Sequence, residues 1–100
     1  MKLTPELLAA AYEMLRATAP FNRWHLPPSA DVRFKISATL REYGRCNTDW
    51  FTGEFAKTRR FTISVSKKSV QTPERLLRTM AHEMIHILQE AGRPVEYPDV

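Results

Sequence analysis

The sequence has one cysteine, three glycines and no long apolar run among its 100 residues. A single cysteine, Cys46, excludes an internal disulfide and suits the reducing cytoplasm. No run approaches the roughly 18 apolar residues of a membrane-spanning helix. The first residues also lack the basic-then-apolar pattern of a secretory signal peptide. We therefore expect a cytoplasmic protein that does not bind membranes.

The remaining composition is that of an ordinary globular domain. Hydrophobic residues make up 43% and charged residues 26% of the chain. One hundred residues are enough for one domain with a small core. The net charge of +4 is compatible with an acidic partner such as nucleic acid but does not require one.

Two segments carry the signals of helices. Thr4-Pro5-Glu6 provides a cap, a first-turn proline and an acidic residue, which predicts a helix ending near Thr18. Thr72-Pro73-Glu74 repeats this pattern and predicts a helix over residues 72–91, with Gly92 and Pro94 as its stop.

The middle of the chain indicates a small sheet. Apolar and polar residues alternate over residues 31–37 and again over 60–66, which predicts two half-buried strands. We expect residues 40–46 to be extended but broken by Gly44, residues 47–53 to form a turn or loop, and a short strand to lie around 54–56. With hairpin-type connections these segments predict an α+β fold with a mostly antiparallel three-stranded sheet.

The chemistry is concentrated in the run His82-Glu83-Met84-Ile85-His86. Histidines four residues apart on a helix lie on one face, about one turn apart, so both can bind one zinc ion. The glutamate between them is then placed to take a proton from a zinc-activated water. A histidine is most often an ordinary surface or core residue. Here, however, two of the three histidines share the polar half of a half-apolar helix, which favours a zinc site.

Residues 32–86 resemble the SprT-like zinc metalloproteases, the family that includes Spartan. The resemblance rests on a strand leading into a Gly44-Arg45-Cys46 turn, on a strand reading Phe-Thr-Ile-Ser-Val at 61–65, and on the His-Glu-Met-Ile-His run. It implies a zincin-like fold, His82 and His86 as zinc ligands, and Glu83 as the general base. The Spartan branch of the family cleaves proteins trapped on DNA, so the resemblance also implies DNA-associated proteins as substrates.

One family feature is absent. The family takes a third zinc ligand from a histidine beyond the motif helix, and no histidine follows His86. Glu90 points poorly for sharing the metal, and Pro94 and Pro98 oppose folding the tail back. Cys46 is open to two interpretations, a zinc ligand or a small buried apolar residue. We expect residues 1–100 to be one SprT-like domain that ends before its third ligand, and such a fragment to be inactive as it stands. Two acidic residues on the tail remain open as ligands: Glu96 and Asp99.

The sequence therefore predicts a zinc-dependent endopeptidase, with zinc as cofactor and a peptide as substrate. We expect an extended peptide to pair with the sheet along residues 61–65. The oxyanion stabiliser stays open among Tyr97, Tyr43 and His25, each of which also has a structural interpretation. Trp24 and His25 either reach the cleft or cover the core.

Two alternatives place the chain outside the class of active proteases. One is a non-catalytic nucleic-acid-binding module, in which basic residues contact phosphates and aromatic residues stack on bases. The same charges also suit the solvated face of a sheet. The other alternative is an inactive, degenerate relative of the protease family. The residues on which the nucleic-acid hypothesis depends are Arg41, Arg45, Lys57, Arg59, Arg60, Lys67, Lys68, Trp50, Phe51, Phe55 and Phe61.

Overall fold

The first helix, α1 (Pro5–Arg16), begins at the predicted cap. A computed structural model of the protein describes residues 1–52 and 57–96, with side chains described for residues 1–48 and 60–90. Thr4 Oγ1 accepts a hydrogen bond from the backbone N–H of Leu7 at 3.0 Å, and Pro5 occupies the first turn. The helix ends two residues before Thr18, so this prediction is confirmed. It packs against both the second helix and the first strand.

The sheet has three strands, β1 (Val32–Ser37), β2 (Gly44–Thr52) and β3 (Lys57–Ser66), in the order β1-β3-β2. β1 runs parallel to β3 and β2 runs antiparallel to it, so the sheet is mixed and the expected mostly antiparallel sheet is wrong. The reason lies in the connection from β1 to β2. This connection crosses the position that β3 later occupies, and β3 then pairs between β1 and β2.

The strands at residues 31–37 and 60–66 are confirmed, whereas the segment between them is corrected. The Ser37 hydroxyl accepts hydrogen bonds from the N–H groups of Thr39 and Leu40, which turns the chain, so residues 40–43 are not in a strand. The strand begins at Gly44 and continues through residues 47–52, which were expected to be a loop. Pairing with β3 satisfies its backbone groups despite weak strand propensity. The strand expected around 54–56 lies outside the described residues.

The second helix, α2 (Pro73–Glu96), carries the histidine motif. Thr72 Oγ1 accepts from the N–H of Arg75 at 3.1 Å, as the cap predicted. The helix continues past Gly92 and Pro94, so the predicted stop is wrong. Glycine and proline lower the stability of a helix but do not forbid it.

The core lies between the helices and the inner face of the sheet. Four buried residues of α2 face it: Leu76, Met80, Met84 and Ile87. β1 and β3 contribute Val32, Phe61, Ile63 and Val65, and α1 contributes Leu8, Ala11 and Tyr12. Packing of this apolar face holds α2 beside β2, the edge strand, with its polar face turned towards that edge. In the described part of the chain, no helix is both long and apolar enough to cross a bilayer.

Candidate metal and catalytic site

A cleft of about 830 Å³ lies between α2 and the beginning of β2. Both histidines of the motif and its glutamate line this cleft, so the structure brings the predicted zinc ligands and the predicted base together. The other lining residues are Glu42, Tyr43, Gly44, Arg45, Cys46, Asn47, Thr48, Arg75, Arg78, Thr79 and Glu90.

His82 and His86 direct the same ring nitrogen towards one point. Their Nε2 atoms are 3.3 Å apart, and their rings are nearly perpendicular, at 83° with centroids 4.8 Å apart. Two nitrogens bound to zinc at about 2.0–2.1 Å with a tetrahedral angle are separated by about 3.3 Å. Both side chains are exposed, so core packing does not block access to either ring. The observed distance between the two Nε2 atoms equals the one that two ligands of a single zinc ion would have.

Gln89 orients the second histidine. Its Oε1 atom lies 3.1 Å from Nδ1 of His86. An amide oxygen only accepts hydrogen bonds, so this contact favours the tautomer of His86 in which Nδ1 carries the proton and Nε2 keeps its lone pair. This is the tautomer that a zinc-binding histidine needs. Sequence reasoning missed Gln89, although residues three apart on a helix are neighbours and the spacing from His86 is a usable signal.

Glu83 is the most unusual group in the cleft. Its side chain is buried, with 3% exposure, and within the described residues no donor hydrogen-bonds to its carboxylate. Burial raises the pKa of Glu83; His82 and His86 lower it, and Glu42 raises it further, with a net upward shift. A carboxylate of raised pKa is a better proton acceptor near neutral pH. Because no described residue donates a hydrogen bond to it, this carboxylate is available to accept one from a water or a proton from a substrate.

Gly44 makes room for this glutamate. A Cβ at this position would lie 2.7 Å from Thr79 Cγ2, 3.0 Å from Glu83 Oε2 and 3.2 Å from the Ser64 carbonyl oxygen. Its φ is not positive, so the residue provides space and not an unusual conformation. The expected Gly-Arg-Cys turn is wrong, because residues 44–46 begin strand β2. Sequence reasoning missed the role of Gly44 because its contacts come from α2 and β3.

Cys46 also lines the cleft and is half-buried. Burial, followed by the charges of Glu83 and Glu90, raises the pKa of its thiol to about 12. Without a metal ion the thiol is therefore protonated near neutral pH, and a zinc ion would itself lower the pKa of a thiol that binds it. Among the described side chains, no group of three histidine, cysteine or carboxylate residues could hold a metal ion. The side chains of Glu96 and Asp99, which the sequence leaves open as tail ligands, lie outside the described side chains.

The other residues predicted to lie at the site do not all line the cleft. Tyr43 lines the cleft, whereas Tyr97 lies outside the described residues. His25 is not among the residues that line the cleft, and neither is Trp24, which is 45% exposed and packs edge-on against Phe21.

The sheet edge predicted to bind a peptide is also corrected. β3 is the central strand, so residues 61–65 are paired with β1 on one side and with β2 on the other. The free edge beside the cleft belongs to β2. Phe61, which the nucleic-acid hypothesis required for base stacking, is buried in the core at 5% exposure. The other three aromatic residues of that hypothesis, Trp50, Phe51 and Phe55, lie outside the described side chains, and nucleic-acid binding stays a prediction.

Comparison with known proteins does not add a relative from which function can be transferred. A scan against protein-family models, a search of curated proteins and a search of solved structures each found no match. The functional interpretation of this chain therefore rests on the residues and geometry of the cleft.

Proposed function

We propose that this chain is a zinc-dependent endopeptidase domain in which His82 and His86 bind the metal and Glu83 is the general base. One observation carries the proposal. Two imidazole Nε2 atoms stand at the separation of zinc ligands and share the cleft with a buried carboxylate that accepts no hydrogen bond from the described residues. The resemblance of residues 32–86 to SprT-like proteases supports the same chemistry.

The residues of the cleft divide the work of peptide hydrolysis. Zinc, when bound, polarises the scissile carbonyl and lowers the pKa of the attacking water. The Glu83 carboxylate accepts the proton of that water and delivers it to the leaving amine. Gln89 keeps His86 in the tautomer that leaves Nε2 free. The free edge of β2 offers backbone hydrogen bonds to an extended peptide lying along the cleft.

The proposal requires one more metal ligand. Catalytic zinc sites use three protein ligands and leave the fourth position for water. The described side chains supply two of them, so the third donor must come from outside these residues. A site completed in this way should hold close to one equivalent of zinc.

Zinc titration of single histidine variants tests the metal site. We expect wild-type protein to bind zinc and His82→Gln and His86→Gln to bind it far more weakly, because each removes one ligand. His25→Gln is the matched control, since His25 does not line the cleft. Equal zinc affinity in all four proteins would reject this site.

A further inference from the structure

One cation at an end of the cleft, Arg75, has no anionic partner among the described side chains. Arg75 is half-buried, and its guanidinium carbon lies 4.3 Å from the centroid of the Tyr43 ring. In the described part of the chain no carboxylate forms a salt bridge with Arg75. The tyrosine ring holds the face of the guanidinium and leaves its N–H edge for another group.

The neighbouring arginines differ from Arg75 in this respect. Arg45 Nη2 donates to both carboxylate oxygens of Glu42, at 2.8 and 3.1 Å. Arg78 Nη2 is 3.3 Å from Glu74 Oε2. Two of the three guanidinium groups that line this part of the cleft are therefore neutralised. The positive charge that remains for a ligand is centred on Arg75.

Arg75 lies in line with the proposed catalytic residues. It precedes His82 by seven residues, which is two helical turns on the same face and about 10 Å along the axis. An extended peptide advances about 3.3 Å per residue, so this distance corresponds to about three residues. β2 follows the same direction, because Tyr43 contacts Arg75 and the next residue, Gly44, lies against Thr79 and Glu83. A peptide along the β2 edge therefore passes the Arg75 guanidinium.

We infer that Arg75, stacked on Tyr43, forms a subsite for an acidic side chain of the peptide substrate, about three residues from the scissile bond. The inference rests on the proposed endopeptidase function and adds a substrate class to it. A carboxylate matches the two parallel N–H donors of a guanidinium, and the tyrosine ring limits the rotation of that donor pair.

The local charges favour an acidic peptide over a nucleic acid. A nucleic-acid strand presents phosphates at regular intervals and needs several cations for tight binding. Among the described side chains, the arginines that line the cleft beside Arg75 are already paired, Arg45 with Glu42 and Arg78 with Glu74, so a single guanidinium is available here. One guanidinium matches one acidic side chain better than a run of phosphates.

Binding of labelled peptides to the full chain tests the inference without requiring cleavage. The probes are peptides of eight residues with one glutamate at a scanned position and otherwise uncharged side chains. Matched peptides carry glutamine at the same position. We expect one glutamate position to bind roughly fivefold more tightly than its glutamine counterpart, the size of one partly exposed ion pair, measured by fluorescence anisotropy at low salt. Added salt should reduce this advantage.

Variants identify the source of the advantage. Arg75→Gln should abolish it, Arg75→Lys should retain part of it, and Tyr43→Phe should keep it because the ring remains. Arg33→Gln is the charge-matched control, since Arg33 is an exposed residue of β1 outside the cleft. The inference is overturned if no glutamate position binds more tightly, if Arg75→Gln keeps the advantage, or if Arg75 proves necessary for binding single-stranded DNA but not the acidic peptide.

The two proposals fail separately. A chain that shows the Arg75-dependent preference but whose zinc affinity does not depend on His82 and His86 would refute the endopeptidase and leave the acidic subsite standing. A zinc-loaded chain that cleaves a mixed peptide pool without enrichment of acidic residues near the cleaved bond would refute the subsite alone.

Discussion

Glu13 of α1 and Glu83 of α2 are two helical glutamates with opposite surroundings. The Glu13 carboxylate accepts hydrogen bonds from Arg16 Nε at 3.0 Å and from the backbone N–H of Ser29 at 2.7 Å. The Glu83 carboxylate is more deeply buried, and no described residue donates a hydrogen bond to it. The two helices begin with the same Thr-Pro-Glu pattern and the same capping bond. The difference therefore arises from what packs against each helix.

The pKa shifts of these two groups express the same difference. Partial burial raises the pKa of Glu13, but the hydrogen bonds from Ser29 and Arg16 outweigh it, and the net shift is downward. Burial dominates at Glu83, and the net shift is upward. Glu13 thus joins α1 to the segment that precedes β1. Glu83 gains no comparable stabilisation from the fold, as expected of a group whose partner is a ligand.

The largest expected effect is on catalysis. Glu83→Gln should lower peptide cleavage by the zinc-loaded protein roughly 10²–10⁴-fold, because the amide cannot accept the proton. Zinc binding should be retained, because both histidines remain. Cleavage rates and zinc content measured on the same preparation check this prediction.

Glu13→Gln is the matched control for that experiment. It makes the same chemical change outside the cleft and should keep full activity with lower stability. Cleavage by Glu83→Gln at the wild-type rate would remove Glu83 from the mechanism.

The next largest effect is on stability, at Gly44, the residue that makes room for Glu83. Gly44→Ala should lower the free energy of unfolding by about 1–3 kcal/mol, because its Cβ overlaps Thr79 Cγ2 and presses on the Glu83 carboxylate. Urea denaturation measures the change. Adding Thr79→Ser removes the closest overlapping methyl and should restore part of the loss. A Gly44→Ala protein as stable as wild type would show that α2 and β2 do not approach as closely as described.

The smallest effect is on the pH dependence of stability. Glu13 and Glu83 should change stability in opposite directions as pH rises. The stabilisation from Glu13 is fully present above the ordinary glutamate pKa and is lost as pH falls through its lowered folded pKa. Glu83 binds its proton more tightly in the folded state, so stability decreases as pH rises from the ordinary glutamate pKa to its raised value.

Thermal unfolding of zinc-free protein between about pH 3 and pH 8 measures both slopes. Glu13→Gln should weaken the decrease on the acid side, and Glu83→Gln should weaken the decrease at higher pH. The exposure of Glu13 makes its slope shallow, because solvent screens exposed charges. Parallel curves for the two variants would mean that both carboxylates are equivalent and would contradict the comparison.

Much of the local structure could be predicted from the sequence. Thr4 and Thr72 mark the starts of the helices because a capping bond involves residues three positions apart. The alternation at residues 31–37 and 60–66 predicts strands because side chains alternate between the faces of a sheet. The arrangement of strands could not be predicted in the same way. The Ser37 hydroxyl turns the chain before β2, and backbone pairing with β3 places residues 47–52 in a strand that their side chains do not indicate.

By itself, the sequence determined that His82 and His86 share one helical face with Glu83 between them, because a spacing of four residues has that consequence in any α-helix. Only the tertiary structure decided that Glu83 is buried with no hydrogen-bond donor among the described residues, that β2 and not β3 offers the free edge, and that Arg75 is stacked on Tyr43. Each of these depends on segments distant in the chain. Such contacts follow from the packing of the whole core, whereas helix periodicity and capping follow from bonds between near neighbours.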